Sequence, residues 1–156
     1  MTTMLLLFAF LIGIVAGLRT MTAPAAVAWA AHLGWLDLGD TWPAFLGWQW
    51  TPWIFTALAL LEFVADKLPS TPSRTVPTQF GARLASGALT GAAIGVAAGN
   101  LWAGAGLGVA GAVVGTLRGR AARARMASAF GSDTPAALVE DAVAIFAAVL
   151  IVTALR

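Results

Sequence analysis

Residues 17–24 read GLRTMTAP, and they stand between two apolar stretches, MLLLFAFLIGIVA (4–16) and AAVAWAA (25–31). A guanidinium keeps its charge in any protein, so Arg19 needs a counter-charge, a cage of carbonyls or a bound anion. Pro24 removes a backbone donor and crowds the preceding turn. The run from about residue 4 to residue 31 is also too long for one straight crossing at about 1.5 Å per residue. A break near Arg19–Pro24 follows. It leaves two arrangements, one interrupted crossing or two separate pieces.

The surroundings of this stretch say what solvent it faces. The chain has 156 residues, of which 60% are hydrophobic and 10% charged. Its mean hydropathy is +0.86. A soluble domain carries roughly 25% charged residues to cover its surface. The expectation is a polytopic transmembrane helix bundle, all-α, in which residues 1–156 form a single integral membrane domain. Five segments of near-spanning length are expected, at about 4–31, 51–67, 83–99, 101–118 and 135–155. Ser132, Asp133 and Thr134 are good caps for the last, and Pro135 suits its first turn.

The arginines set an orientation. Residues 32–50 hold no Lys or Arg but carry Trp35, Trp42, Trp48 and Trp50, as an interfacial belt does. Lys67, Arg74 and Arg83 fall in 67–83, and Arg118, Arg120, Arg123 and Arg125 in 118–125. The positive-inside rule then puts both basic loops in the cytoplasm and the tryptophan loop outside the inner (plasma) membrane. With five crossings the N-terminus lies inside; a split first segment moves it outside. The N-terminal MTTMLLLFAF has no basic leader region and reads as a retained membrane segment.

The formal charge of +2 comes with no basic stripe interleaved with aromatics, so no nucleic acid is expected as a partner. The chain has no cysteine and one histidine, His32, which reads as interfacial, so no metal and no other cofactor is expected. No nucleophile elbow, zinc helix or phosphate loop is present, and the chain does not read as an enzyme. The expected partners are the lipid bilayer, a small solute or ion, and a second copy of the chain in a homodimer.

Glycines recur at intervals of four: Gly87, Gly91, Gly95 and Gly99 in the third segment, Gly104 and Gly108, then Gly111 and Gly115 in the fourth. Small residues at that spacing form a groove along which helix backbones approach closely in lipid. The groove serves packing inside one subunit or between two.

Ionisable groups in these segments are the candidate site. They are Arg19 with its neighbour Thr20, Glu62 and Asp66 one turn apart, Arg83, and Glu140 with Asp141. Each costs roughly 2.5–3.5 kcal/mol at a helix centre, so something must offset it. A broken helix with an arginine at the break is a device of transporters. Glu140 and Asp141 also suit a helix N-terminus, and Arg83 can pair with either. Arg19 is expected to face Glu62 or to hold an anion. The expected function is a transporter or channel for a small solute, anionic where Arg19 binds it, using this cluster of arginine and carboxylates. The alternatives are handling of a lipid headgroup at the basic rim and a structural role in which the charges only fix helix packing. Gly17-Leu-Arg19 and Gly81-Ala-Arg83, each followed by small residues and later by an acidic helix, suggest a duplication.

GLRTMTAPAAVA, EFVADKLP, RLASGALTGAAIG, AGAGLGVAGAVVG and LVEDAVAI occur in an order that resembles the bacterial membrane proteins catalogued as the domain of unknown function numbered 4126. The likeness covers about residues 10–150, and Leu33–Thr51 matches nothing within it. It implies a shared polar signature of Arg19, Pro24, Glu62, Asp66, Lys67, Pro69, Arg83, Glu140 and Asp141, and it assigns none of them a role.

Overall fold

The break at Arg19 organises the molecule. The computed structural model describes residues 1–156 and contains six α-helices: α1 (Thr2–Leu18), α2 (Thr22–His32), α3 (Thr51–Ala65), α4 (Pro77–Ala97), α5 (Leu101–Phe130) and α6 (Asp133–Thr153). A 3-10 helix, Trp42–Gly47, lies between α2 and α3. α1 stops because Arg19 is extended, with φ −139° and ψ 116°. α2 starts again at Thr22, and Ala25 makes its first backbone bond, to Met21. Pro24 is therefore the third residue of α2, where no intrahelical donor is needed. It fits the start of a helix and does not make the break, which falls on Arg19–Met21.

The two pieces run in opposite senses. Gly17 of α1 and Arg83 of α4 meet at one end, and Thr20 reaches Ser86 there. α2 then leads away from that end alongside α3: Met21 contacts Glu62, whereas Trp29 donates to Thr56 and stacks edge-on with Trp53. At the far end Arg156, after α6, lies over Trp35, after α2, at 5.9 Å. So α1, α3 and α5 run toward one charged end, and α2, α4 and α6 run back toward the tryptophans. The first apolar stretch is two arms.

Helices α4, α5 and α6, with 21, 30 and 21 residues, are long and apolar enough to cross a membrane. α1 and α3 are apolar but shorter, at 17 and 15 residues. Two boundaries differ from the sequence reading. Residues 118–125 are no loop: α5 continues to Phe130, since Ala, Arg and Met favour helix and the single Gly119 among them does not stop it before Gly131. Gly131, at φ 69°, ends it in the left-handed conformation that glycine adopts without strain. α4 begins at Pro77, which places Arg83 in its second turn. Ser132 takes the N-cap position of α6 without a side-chain bond, and Pro135 falls third in that helix.

The glycines pack helices within the chain. A Cβ on Gly87 would strike the Gly108 backbone, and one on Gly91 would strike Gly104 and Gly108. One on Gly95 would meet Asn100 and Gly104. That is the α4–α5 hairpin. Gly111 and Gly115 turn the other way, against Phe10 and Ile14 of α1, while Gly13 and Gly17 of α1 press on Gly108 and the Ala112–Thr116 turn. Helix α5 is thus clasped on two sides. Gly99 is no part of this seam: nothing lies within reach of an added Cβ, and its φ of 72° makes it the turn between α4 and α5. The large apolar side chains point outward instead, among them Trp53, Leu61 and Val64 of α3 and Leu138, Phe146 and Leu150 of α6. Small residues inside and bulky apolar ones outside suit a bilayer as solvent.

The echo between GLR and GAR ends at the arginines. Both come to the charged end, but α3 carries its acids in its last turn and just past it, and α6 carries them two turns from its start.

Candidate functional site

The turn between α1 and α2 leaves carbonyls of α1 and amides of α2 without helical partners, and opposite charges receive them. Arg83 donates from Nη1 to the carbonyls of Gly17 and Leu18, at 2.7 and 2.9 Å. Glu62 accepts from the amides of Thr20 and Met21, at 2.7 and 2.8 Å. A cation at a helix C-terminus and an anion at a helix N-terminus are both favoured by the macrodipole. Ser86 Oγ donates to the Thr20 carbonyl at 2.6 Å, and Thr116 Oγ1 to that of Gly17 at 3.3 Å. Thr20 thus enters the site through its backbone. Arg83 pairs with neither Glu140 nor Asp141, because the second turn of α4 sets it beside the end of α1.

Arg19 itself points away from Glu62. Held extended between the two capped termini, it is fully buried, at 0% exposure. Its Nε donates to Asp141 Oδ1 at 2.5 Å. Nη1 lies 2.7 Å from Asp66 Oδ2 as an ion pair off the hydrogen-bonding direction, and Nη2 lies 3.4 Å from Glu140 Oε2. The expected Arg19–Glu62 pair is absent because Glu62 is already committed to the backbone of the turn. Glu62 and Asp66 share a face of α3 but serve different partners.

Three further cations complete the layer. Lys67 donates to Asp141 Oδ2 at 2.5 Å and to the Phe63 carbonyl at 2.8 Å. Arg74 grips both oxygens of Glu140. Arg123 meets Asp66 through Nη1 and clasps Asp133 through Nε and Nη2, at 2.9 and 2.6 Å. Gly119 lies against the layer: a Cβ there would strike Leu18 Cδ2 and press on Glu140 Oε1, with Arg74 Nη1 in ordinary contact. Every carboxylate among Asp66, Glu140 and Asp141 touches more than one cation.

Of the residues singled out in the sequence, Glu62 and Arg83 lie on the backbone of the turn and Asp66, Glu140 and Asp141 surround Arg19, while Arg74 and Arg123 join this layer without having been singled out as site residues. A signal was present. Two arginines among four carboxylates leave an apolar bundle short of positive charge. Adding Lys67, Arg74 and Arg123, with Asp133 on the rim, balances cations against anions one for one.

The layer opens outward into a polar recess of about 350 Å³ between the 66–74 loop and α5, with Arg74, Arg120, Arg123 and Asp133 on its wall. An apolar groove of about 300 Å³ reaches the Arg19 turn from the side, past Thr20, Met21 and Ser86 toward Leu89. Neither recess is lined by Arg19. The arrangement can lock the α1–α2 turn to α3, α4 and α6, and it can exchange ion-pair partners without leaving a charge alone.

No curated protein and no solved structure matches the chain. The family described as "Domain of unknown function (DUF4126)" matches residues 6–154, nearly the whole chain and every member of the ionic layer. The chain belongs to that family.

Proposed function

We propose that this protein is a structural membrane protein of the plasma membrane, in which the ionic layer closes one end of the bundle and fixes the helix arrangement. One observation carries the reading. Arg19, the residue best placed to bind a solute, is fully buried and surrounded by three of the protein's own carboxylates. In this reading the charged end lies in the cytoplasm, by the positive-inside rule, and six arms put both termini outside.

A second reading is a small-solute transporter whose charged end is shut. It is supported by the sharing of Asp66, Glu140 and Asp141 among several cations, and by the general pattern that ionisable groups in a membrane mark pathways. Stability alone is weak motive for burying such pairs, since apolar replacements are often as stable. One experiment separates the two. Purified protein reconstituted in vesicles is assayed for proton, chloride and phosphate flux under an imposed gradient. Rates equal to those of empty vesicles support the structural reading. A faster flux that disappears in R19K overturns it in favour of transport.

A further inference from the structure

The recess outside the ionic layer holds more positive charge than its acids use. Arg120, on its wall, has no carboxylate partner; its Nη1 donates only to Thr75 Oγ1, at 3.2 Å. Arg123 turns one nitrogen inward to Asp66 and presents Nε and Nη2 outward as a fork. That fork is the geometry that recognises carboxylate or phosphate through two parallel bonds. It is filled by Asp133, whose side chain is 61% exposed and belongs to the rim. Asp133 acts there as the chain's own stand-in for an anion.

We propose that this recess binds a phosphate group, with Arg120 and the outer fork of Arg123 as its cations and Asp133 as the group it displaces. The volume of about 350 Å³ exceeds what the tetrahedral group alone fills and leaves room for the small polar substituent of a phosphodiester. Ser73 on the same wall adds a hydroxyl for its oxygens. The phosphate belongs to a lipid headgroup or is free in solution; both present the same oxygens to the fork. The site stands whether or not the ionic layer ever opens, because Arg19 takes no part in it.

The test uses the full chain in phosphatidylcholine nanodiscs, with and without phosphatidylglycerol, and a separate titration with inorganic phosphate. Retention of each probe is read by native mass spectrometry. The expected result is preferential retention of one probe, reduced about fivefold in R120Q and raised in D133N, as loss of a charge-assisted bond and of a competing carboxylate require. R118Q and R125Q, whose arginines lie outside the recess, should change it less than about twofold. This pattern with phosphatidylglycerol alone assigns a lipid headgroup; with inorganic phosphate it assigns the free ion. Equal losses in all three arginine variants mean diffuse surface charge and overturn the proposal, as does retention indifferent to both Arg120 and Asp133.

Discussion

The seam of α1, α4 and α5 and the ionic layer at the charged end meet on α1 and α5 and join their helices by opposite means. Along the seam, glycines let backbone lie on backbone, so that added atoms have nowhere to go. In the layer, long side chains span the gaps between α1, α3, α5 and α6 and meet as charges. The seam is specified by shape and tolerates no insertion. The layer is specified by charge, and its shared carboxylates tolerate small shifts of their partners. A bundle without a hydrophobic force between its helices needs the first for closeness and the second for register.

Gly108 is the point of closest approach in the seam. A leucine there would drive its Cβ into the Gly87 carbonyl and toward Gly91, and neither backbone can yield. G108L should give no folded monomer, a loss above the usual overpacking cost of about 1–3 kcal/mol. Size-exclusion profile and thermal unfolding in detergent check it; a normal profile and melting temperature would sink the seam. R19M comes next. It leaves Asp66, Glu140 and Asp141 short of a buried cation, with an expected cost of about 3–5 kcal/mol, read as a lowered unfolding midpoint. A stability unchanged by R19M would mean that the layer fixes nothing.

Glu62 sharpens the account of the turn. E62Q keeps an acceptor near the α2 N-terminus but removes the charge, and should cost about 1 kcal/mol. Hydrogen exchange at the amides of Thr20 and Met21 should quicken while the α4–α5 hairpin stays protected. The smallest effect belongs to Gly106, a glycine of α5 with open space around it. G106A should stabilise slightly, by about 0.5–1 kcal/mol, because alanine is the better helix former. A destabilised G106A would mean that this face of α5 is covered by something outside the chain.

Much of this was legible in the order of residues. Glycine spacing is local, and a period of four names one face of a helix whatever that face meets. The partner is not local, which is why the spacing of Gly111 and Gly115 names a packing face without naming α1 as what it meets. Arg74 and Arg123 stayed hidden for the same reason. Each looks like an ordinary basic residue near a segment end, and only the fold brings it to Glu140 or Asp66, distant in the chain.

Sequence by itself determined that the chain is helical, that its apolar groups outnumber what a soluble surface could cover, and that Arg19 needs compensation. These follow from transfer energies and helix periodicity, which depend on residue type and near neighbours. Tertiary structure alone decided that the chain doubles back at Arg19, that Glu62 and Arg83 cap the two ends of that turn, and that Arg19 answers to Asp66, Glu140 and Asp141. A run of apolar residues reads the same whether straight or folded. Which helix terminus meets which charge depends on where α3, α4 and α6 lie.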